Sequence, residues 1–501
     1  MIDPGHRWLV LLAGPLLALG VYLLLPVEYV ATDGALRTLE PGARGAAAMT
    51  AWMALWWITD VIPVYVTAML PLATFPLLGT ATIVEAAGAY GDPLIFLFFG
   101  GFILALALER WGLHRRVAFT VLRSVGSRPD YIVGAFMAIA AFLSLWVTNT
   151  ATTLMMLPVA LSVADTLADA HPAGQAAELR TANVGTALML GVAYAASIGG
   201  MGTIIGTAPN VFVASFISTQ LHLEISFLDW MTLALPLVIL LLVGAWLLLT
   251  RGVFRVGHEP LPGTHTVLAG LAEGLGPVTP AERRTAIVFL LAAAAWMFRG
   301  LLGDLTVAGA TPFSGLTDAG VAISAAILLF VLPAGRGQAG ETLMDWDTAK
   351  RVPWGLLLLF GGGLSLAASF EQTGLAAYVA AQGQGLEKLP VWLLVACIAA
   401  VVVFLSEIAS NLATATTVVP VLAALAVGAG LAPAPLVLAA CFAASCGFML
   451  PVATPPNAIV YGTGRVTAGQ MAKAGFLLNV TGILFITVVT CGIIIPLIGA
   501  K

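Results

Sequence analysis

The stretch VTNTATT, residues 147–153, places five uncharged polar side chains in the middle of a long apolar run. A second polar island, ASNLATAT, occupies residues 409–416, and Asn411 follows Asn149 by 262 positions. Aligning 142–159 with 404–421 at that offset gives eight identical residues out of eighteen. Ordinary Ser/Thr contacts between packed membrane helices would explain one such island. Two islands in register indicate that the chain contains an internal repeat.

Composition restricts the class of protein. The 501 residues are 60% hydrophobic and 9% charged, and their mean hydropathy is +1.01. These values exclude a water-soluble globule and indicate a multi-pass membrane protein in contact with the lipid bilayer. Because hydrocarbon offers no hydrogen-bond partners to the backbone, the spans are expected to be helices and the fold class all-α. The formal charge of −4 and the scattered basic residues argue against a nucleic-acid partner.

Catalytic signatures do not emerge from the sequence. It contains no HExxH motif and no CxxC pair, and it shows no Ser/His/Asp or metal-binding constellation. An intramembrane enzyme is therefore the less favoured class, and no organic cofactor is expected. A passive channel remains possible at this stage.

Each polar island divides its apolar stretch into two limbs. Residues 131–164 have limbs of about 18 and 16 residues, each long enough for roughly 25 Å as a helix. One continuous helix of that length would greatly exceed a bilayer core of ~30 Å. We therefore predict re-entrant hairpins at 131–164 and 391–428, each turning at its island.

Two further segments are predicted to be broken helices. The motif GGMGTIIGTAPN, residues 199–210, interrupts the apolar stretch 184–219 with glycines and a proline. The stretch 434–463 is interrupted in the same way at ATPPN, residues 453–457. GTAPN at 206–210 and ATPPN are 247 positions apart, and FFGGFILALALERWGL at 98–113 matches FGGGLSLAASFEQTGL at 360–375 at the offset of 262.

These landmarks predict about 11 transmembrane helices and two re-entrant hairpins arranged as two repeats. An odd number of crossings in each repeat inverts the second copy. The boundaries follow: an N-terminal helix and loop at 1–44, repeat 1 at 45–250, a Pro-rich cytoplasmic linker at 251–284 and repeat 2 at 285–501. The remaining helices are expected near 8–25, 45–59, 62–80, 93–108, 231–250, 285–303, 317–334, 354–370 and 475–499.

The distribution of positive charge predicts the orientation in the cell membrane. Threading the chain from a cytoplasmic N-terminus places 16 Lys and Arg residues inside, which agrees with the positive-inside rule. The C-terminus is then extracytoplasmic, and hairpin 1 opens from the cytoplasm while hairpin 2 opens from the exterior. Five basic residues are left for the outside: Arg37, Arg44, Arg299, Lys388 and Lys501.

The islands and breaks supply neutral oxygen atoms at mid-membrane depth. Ser144 and Thr148 lie four residues apart, on one helical face, next to the amide oxygen of Asn149. Together with carbonyl groups freed in the break they form a candidate cation cage without a carboxylate, which favours a monovalent ion such as sodium over calcium. A second cage is predicted from Ser406, the carbonyl of Ala409, Asn411 and the break at 453–457.

An anionic substrate would have to be held without a basic side chain, because no Lys or Arg lies in any island or break. Asn and Thr donors, helix N-termini and the bound cations would supply the attraction. Anion binding would then depend on the cations, which is the thermodynamic requirement of symport.

Three carboxylates lie within or at the ends of apolar stretches. Glu109 and Glu371 are repeat counterparts, and we interpret them as interfacial residues in preference to a proton relay. Glu407, whose repeat counterpart is Leu145, is either a packing or snorkelling residue or a modifier of the second cation cage.

The paired motifs Thr148-Asn149-Thr150 and Ser410-Asn411-Leu412, together with FMLPVATPPNAIVYG at 448–462, resemble the divalent anion/sodium symporter family of sodium-coupled dicarboxylate and citrate carriers. The resemblance implies a homodimer with a scaffold domain and a transport domain that moves as an elevator, and two or more coupling sodium ions. It implies sodium site 1 at Ser144, Thr148, Asn149 and Gly206, sodium site 2 at Ser406, Ala409, Asn411 and Ala453, and substrate binding by Asn149, Thr150, Thr207, Asn411, Leu412, Thr454 and Pro455.

The chain departs from the family pattern at two motif positions. Thr148 replaces a Ser and keeps the hydroxyl, whereas Leu412 replaces a Thr and removes one donor to the anion. The resemblance favours sodium-coupled symport of C4-dicarboxylates such as succinate, malate or fumarate. A sodium-independent dicarboxylate exchanger, or a carrier of sulfate or another divalent anion, is the alternative on the same fold.

Overall fold

The computed structural model describes residues 4–122, 126–169, 175–259, 276–306, 310–335 and 340–498. Within these ranges the chain is mostly helical. Part of the predicted linker, residues 260–275, and the C-terminal Lys501 lie outside the described residues.

The first half of the chain runs from an N-terminal helix to the end of the predicted repeat 1. A two-stranded antiparallel hairpin with strands of three residues follows the first helix, as a small addition to a mostly helical chain. The elements are α1 (Pro4–Leu24), β1 (Glu28–Val30), β2 (Leu36–Thr38), α2 (Pro41–Thr59), α3 (Val64–Thr67), α4 (Leu70–Leu78), α5 (Ile83–Gly88), a 3₁₀ turn (Ala89–Gly91), α6 (Pro93–Arg110), α7 (Leu113–Leu122), α8 (Pro129–Ser144), α9 (Asn149–Asp169), α10 (Gln175–Gly200), α11 (Ala208–Gln220) and α12 (Phe227–Leu247), which continues as a π-helical turn (Leu248–Val253).

The second half follows with the same order of long, short and broken helices. Its elements are α13 (Pro280–Met297), α14 (Arg299–Gly303), α15 (Asp318–Val331), α16 (Trp346–Ala349), α17 (Trp354–Gln372), α18 (Leu375–Gln382), a 3₁₀ turn (Leu386–Lys388), α19 (Val391–Ile408), α20 (Asn411–Gly428), α21 (Pro433–Ala444), α22 (Pro455–Tyr461), α23 (Ala468–Val489), a π-helical turn (Thr490–Ile494) and α24 (Ile495–Ile498).

Several helices are long and apolar enough to cross a bilayer. Among the described residues, eight have at least 18 residues and the required hydropathy. Four shorter apolar segments of 10–17 residues accompany them, at Val64–Leu78, Pro129–Ser144, Asp318–Val331 and Pro433–Ala444. The chain is therefore a multi-pass membrane protein, while the predicted number of crossings stays a prediction.

Both polar islands lie where one helix ends and the next begins. The backbone leaves the helical path at 145–148 between α8 and α9, and at 409–410 between α19 and α20. The hydroxyl of Thr148 accepts a hydrogen bond from the amide of Ala151 at 3.3 Å. Ser410 accepts one from the amide of Ala413 at 3.2 Å. The islands therefore supply polar groups to helix N-termini whose amides have no partner inside the helix.

Some predicted helix boundaries are wrong. The segment predicted as one helix at 62–80 is divided into α3 and α4, because Pro71 in the first turn of α4 cannot donate the hydrogen bond that would continue α3. α13 begins at Pro280, inside the predicted linker, where the Thr279 side chain and Glu282 form a capping box. α10 begins at 175 instead of 184.

Four short helices were not predicted, namely α5, α7, α16 and α18. α7 follows α6, and α18 follows α17 at the equivalent place, since residue 113 corresponds to 375 at the offset of 262. α7 contains His114, Arg115 and Arg116 and so resembles a connecting loop, whereas α18 is apolar but has only eight residues, too few to span a membrane. Each joins a long helix to the first limb of a hairpin.

The two halves interlock around the breaks. α9 of the first half contacts α22 of the second, and α20 of the second half contacts α11 of the first. The thiol of Cys441 in α21 lies 3.5 Å from the Oδ1 atom of Asn210 in α11. Both breaks are thus surrounded by helices from the opposite half, and their residues are largely buried.

Close packing at Gly362 gives a test of the fold. A Cβ atom at this position in α17 would lie 2.1 Å from the carbonyl oxygen of Ala68, a backbone atom that cannot rotate away. Gly362→Ala should therefore destabilise the protein by about 1–3 kcal/mol, the usual cost of overpacking. The measurement is the thermal unfolding midpoint of the purified protein in detergent.

Gly20→Ala is the matched control, because a Cβ atom at Gly20 in α1 meets nothing within 4 Å. Its midpoint should equal or exceed that of the unsubstituted chain. An unchanged midpoint for Gly362→Ala would show that α17 and the residues around Ala68 do not approach as described.

Candidate functional site

The tip of hairpin 1 is built around a hydrogen bond between Ser144 and Asn149. The Ser144 hydroxyl donates to Oδ1 of Asn149 at 2.7 Å, across the turn that separates α8 from α9. A Cβ atom at Gly200 would lie 2.3 Å from the same Oδ1 atom. Gly200 is therefore small because Asn149 of the hairpin is seated directly on the end of α10.

The side-chain amide of Asn210 bridges the carbonyl groups of the first break. Nδ2 of Asn210 donates to the carbonyl oxygens of Gly200 at 3.0 Å, Met201 at 3.2 Å and Thr203 at 2.7 Å. The side chain is fully buried. The carbonyl of Met201 also accepts from the Trp230 indole at 3.1 Å, and that of Thr203 accepts from the amide of Gly206 at 3.3 Å. Together with these donors, the Asn210 amide replaces hydrogen bonds that the membrane interior cannot supply.

The tip of hairpin 2 has the same Ser–Asn geometry. The Ser406 hydroxyl lies 2.9 Å from Oδ1 of Asn411, and it also lies 2.5 Å from the carbonyl oxygen of Ala444 at the end of α21. Nδ2 of Asn457 donates to the carbonyls of Gly447 at 3.1 Å and Leu450 at 3.0 Å. Asn457 is the counterpart of Asn210 at the offset of 247. In both breaks, therefore, the asparagine that ends the Pro-Asn (PN) motif of GTAPN or ATPPN bridges the carbonyl groups.

GTAPN and ATPPN were predicted only as landmarks of the two repeats, and the role of their asparagines was not predicted. The signal was present, since an uncharged amide follows a proline at both breaks. A buried asparagine can donate two hydrogen bonds to stranded carbonyls, which a hydroxyl cannot do.

Glu407 has a role that neither sequence-based interpretation described. Its side chain is 3% exposed. Oε1 accepts hydrogen bonds from the backbone amides of Phe448 at 2.7 Å and Met449 at 2.8 Å, and Oε2 accepts one from Leu450 at 3.0 Å. Nδ2 of Asn479 in α23 adds a fourth bond at 2.6 Å to Oε1.

The carboxylate of Glu407 therefore fixes the second break to hairpin 2, and snorkelling to the membrane surface is excluded by these contacts. In the first half, hairpin 1 is joined to its break by a different hydrogen bond at the position equivalent to Glu407. Leu145, the counterpart of Glu407, offers its backbone carbonyl, which accepts a hydrogen bond of 2.5 Å from the hydroxyl of Thr203. Each hairpin is tied to its own break, by a carboxylate in one half and by a hydroxyl in the other.

Most of the residues expected at sodium site 1 lie together. A Cβ atom at Gly206 would lie 2.4 Å from the carbonyl oxygen of Gly200, and Gly200 is the residue packed against Oδ1 of Asn149. Ser144 and Gly206 are buried, and Asn149 is half-buried. Thr148 and Thr150 are half-buried on the hairpin tip, and Thr207 caps α11 without a hydrogen bond from its side chain.

The residues expected at sodium site 2 gather around Gly447. A Cβ atom there would lie 3.2 Å from Cβ of Ala453, 3.5 Å from the carbonyl oxygen of Ser406 and 3.5 Å from the Thr454 methyl. Ala409 is buried. Among the residues expected to touch substrate, Thr454 and Leu412 are buried, Asn411 is half-buried and Pro455 is exposed.

A cavity of about 480 Å³ opens beside the tip of hairpin 1. One wall carries Thr148 and Thr150, and the opposite wall is α6 with Glu109 at its end. Arg351, on the segment that precedes α17, completes the lining. Nη2 of Arg351 donates to Oε1 of Glu109 at 2.5 Å. This ion pair agrees with the interpretation of Glu109 as an interfacial residue.

The segment before α17 is anchored to the end of α6. Arg110 forms an ion pair of 2.5 Å with Asp345. The indole of Trp111 donates to the carbonyl of Leu343 at 2.8 Å. The backbone amide of Thr348 and the guanidinium of Arg110 lower the pKa of Asp345, which is therefore charged at neutral pH. Arg351 is thus held on a charged frame fixed to α6.

Comparison with known proteins places the whole chain in one group. A family model described as "Sodium:sulfate symporter transmembrane region" matches residues 9–498. The sodium-dependent dicarboxylate transporter SdcS of Staphylococcus saprophyticus is 37% identical over 489 residues, which cover 98% of this chain and 92% of that protein. SdcS of Staphylococcus aureus strain USA300 is 38% identical over 447 residues, covering 88% and 84%.

Two solved structures share the fold. The YdaH transporter of Alcanivorax borkumensis has a TM-score of 0.58 and 16% identity, with 99% of both chains covered. Neisseria gonorrhoeae MtrF, from a structure described as illuminating a class of antimetabolite efflux pumps, has a TM-score of 0.58 and 14% identity, with 98% and 95% covered. At these identities the likeness concerns the fold alone.

The Glu407 contacts give a structural test. Glu407→Gln replaces one acceptor oxygen with an NH₂ group that faces backbone donors, so at least one buried amide loses its partner. The break at 445–454 should loosen, the unfolding midpoint should fall, and the buried thiol of Cys446 should react faster with a maleimide. The reaction is followed in a background lacking Cys397, Cys441 and Cys491, so that Cys446 is the one remaining thiol.

Glu28→Gln, a change on strand β1, serves as the control and should alter neither the midpoint nor the labelling rate. Equal labelling of Cys446 in Glu407→Gln and in the parent would contradict the assigned role of the carboxylate.

Proposed function

The chain belongs to the sodium:sulfate symporter family and is a membrane transporter, not an enzyme, and we propose that it couples uptake of a C4-dicarboxylate to sodium. The observation that carries the proposal is the same close approach of a Ser hydroxyl to an Asn amide oxygen at both hairpin tips, Ser144 to Asn149 and Ser406 to Asn411. Each pair lies against a helix break from which carbonyl groups project. The function thus rests on two matching clusters of neutral oxygens.

These clusters have the chemistry that a sodium ion prefers. The hydroxyl and amide oxygens of Ser144 and Asn149, with the backbone around Gly206, supply hard uncharged ligands. Ser406, Asn411 and the backbone of Ala409 and Ala453 supply the matching set. We propose one sodium at each cluster, so that at least two ions accompany the anion.

The proposed substrate is a small dicarboxylate such as succinate, malate or fumarate. Support comes from the two SdcS relatives, whose names state sodium dependence and dicarboxylate transport. The N-terminal ends of α9 and α20 carry Asn149, Thr150 and Asn411, whose donors suit two carboxylates held apart. A sulfate carrier or a sodium-independent exchanger stays the second candidate, because the family is named after sulfate and Leu412 offers no donor.

The transport step is proposed to be an elevator movement within a homodimer. Its support is an asymmetry between the two halves. Residues 102–109 of α6 share a cavity with 147–155 of hairpin 1. At the offset of 262, residues 364–371 of α17 should face 409–417. Instead, a cavity joins 367–371 to 420–427 of α20.

The hairpins therefore stand in different registers against their long helices. The difference of about 11 residues corresponds to roughly 16 Å at ~1.5 Å per residue. If the halves exchange registers during transport, the hairpins and broken helices slide by about that distance past α6 and α17. The cavity at Thr148 and Thr150 would be open in this state from the side of Glu109 and Arg351, which we propose to be cytoplasmic, with the N-terminus inside and the C-terminus outside.

Sodium coupling is tested by uptake into proteoliposomes. Succinate uptake should require external sodium and should disappear when choline replaces it. Asn149→Ala and Asn411→Ala should each reduce coupled uptake at least 100-fold, because each removes an acceptor for the cation together with a donor to the anion. Competition by malate, fumarate, citrate and sulfate ranks the substrates.

The control is Asn479→Ala, which alters a buried amide outside both proposed sodium sites and should retain sodium dependence in whatever uptake remains. Uptake of succinate that is equal in sodium and choline would refute symport and favour the exchanger.

The register exchange is tested by paired cysteines in a background without the four native ones. Val147 packs with Ala105 in the described state. Its counterpart pair, Ala409 with Ala367, should approach only after the exchange. Both Ala105→Cys/Val147→Cys and Ala367→Cys/Ala409→Cys should therefore form disulfides, and each disulfide should stop transport until it is reduced.

The corresponding single-cysteine variants control for oxidation itself and should remain active. Cross-linking of the first pair alone, in protein that transports normally, would contradict the proposed movement.

A further inference from the structure

The cavity beside hairpin 1 contains a charge that the sodium-based scheme does not use. We propose that Arg351 captures the anionic substrate on this one side of the membrane, and that Glu109 competes with the substrate for the guanidinium. The inference rests on the proposed function, since it concerns the anion that the transporter carries. It assigns the substrate an electrostatic contact outside the islands and breaks.

Arg351 lies beside the path between hairpin 1 and solvent. Among the described residues that line this cavity, Arg351 is the one basic residue and Glu109 the one acidic residue. Thr148 and Thr150, at the motif expected to bind sodium and substrate, line the same cavity. An anion moving between these threonines and the adjacent solvent therefore passes through a space bounded by Arg351.

The guanidinium of Arg351 has N–H donors that its bond to Glu109 does not use. A guanidinium has five N–H donors in a planar fork that can bind a carboxylate through two parallel bonds. The bond to Glu109 uses one nitrogen, Nη2. The Arg351 side chain is 56% exposed and that of Glu109 is 30% exposed. Ion pairs with this exposure are weak, so an incoming carboxylate can replace Glu109 at little cost.

The role of Glu109 follows from the need to release the anion. An unpaired arginine would bind a dicarboxylate and retain it, whereas a neighbouring carboxylate reclaims the guanidinium as the substrate leaves. When the substrate binds Arg351, Glu109 loses its partner but stays in the cavity lining, and repulsion between the two carboxylates weakens the hold on the anion. Glu109 therefore sets how tightly Arg351 holds the anion.

The pairing of a basic residue with the glutamate beside a hairpin occurs in one half of the described structure. The counterpart of Glu109 is Glu371, which lines the cavity beside α20. The described lining of that cavity contains no Lys or Arg. Arg351 is also fixed to α6 through the neighbouring contacts of Arg110 and Trp111, and in the proposed movement it stays with the scaffold while the hairpin leaves. The anion then meets Arg351 in one state only.

The experiment measures the substrate KM separately at the two membrane faces, in right-side-out and inside-out vesicles, with whichever anion the parent protein carries best. Arg351→Gln should raise KM roughly five-fold at the face to which the cavity opens, with kcat little changed and KM at the other face unaffected. Arg351→Lys should recover most of the loss. Glu109→Gln should lower KM at the same face and slow turnover, because release becomes harder.

Lys350→Gln is the matched control, since Lys350 adjoins Arg351 but pairs with Asp347 at 2.7 Å and does not line the cavity. It should leave both KM values unchanged. The opposite signs for Arg351→Gln and Glu109→Gln separate capture of the anion from a purely structural ion pair, which would make the two variants equally defective.

The inference is overturned if Arg351→Gln leaves KM unchanged at both faces, if it alters both faces equally, or if Glu109→Gln raises KM. Failure of the proposed function gives a different result, because the parent protein itself would then show no sodium-dependent transport of the anion used.

Discussion

The structure depends on the satisfaction of backbone groups where helices are broken inside an apolar environment. Each broken helix leaves several carbonyls and amides without partners, a cost of several kcal/mol per group in hydrocarbon. At the first break the NH₂ group of Asn210 reduces this cost, because its two hydrogens are shared among three carbonyl oxygens. Asn457 does the same at the second. With the carbonyls held in fixed directions, the breaks become rigid walls against which the hairpin tips can seat.

The two halves solve one problem with different chemistry. Glu407 gathers three consecutive amides and Asn479, while Leu145 offers a single carbonyl to Thr203. Three hydrogen bonds from amides of the break to a buried carboxylate tie hairpin 2 more firmly than one hydroxyl bond ties hairpin 1, and the fourth bond ties hairpin 2 to α23. The two hairpins accordingly need not be equally mobile, even though their tips share the Ser–Asn geometry. A duplicated sequence can therefore give two sites with similar ligands and different stiffness.

Sequence patterns predicted the interruptions well and the contacts poorly. Polar islands, glycines and prolines act locally on the backbone, so the breaks at 145–148 and 201–207 lie where the motifs predicted them. α7 and α18 were missed because helices of ten and eight residues are too short to give the pattern of a membrane span. Glu407 and Arg351 could not be placed, since their partners lie 41 and 242 residues away in the chain. Such long-range pairs depend on packing, which no single local pattern reports.

The Ser–Asn bond also orders the chemistry of the proposed sites. Because the Ser144 hydroxyl donates to Oδ1 of Asn149, the amide oxygen is directed toward the serine and its NH₂ group points away. Oδ1 keeps a second lone pair for a cation, whereas Nδ2 is available to an anion. At the second tip the single hydrogen of the Ser406 hydroxyl has two acceptors, the carbonyl oxygen of Ala444 at 2.5 Å and Oδ1 of Asn411 at 2.9 Å. Ser406 therefore orients Asn411 less firmly than Ser144 orients Asn149. One planar amide would thus touch a cation on one edge and an anion on the other, so that loss of the cation frees the amide to turn. Coupling in this arrangement requires no charged side chain at the proposed sodium sites. It is consistent with the position of Arg351, which lines the cavity beside hairpin 1 and belongs to neither sodium site.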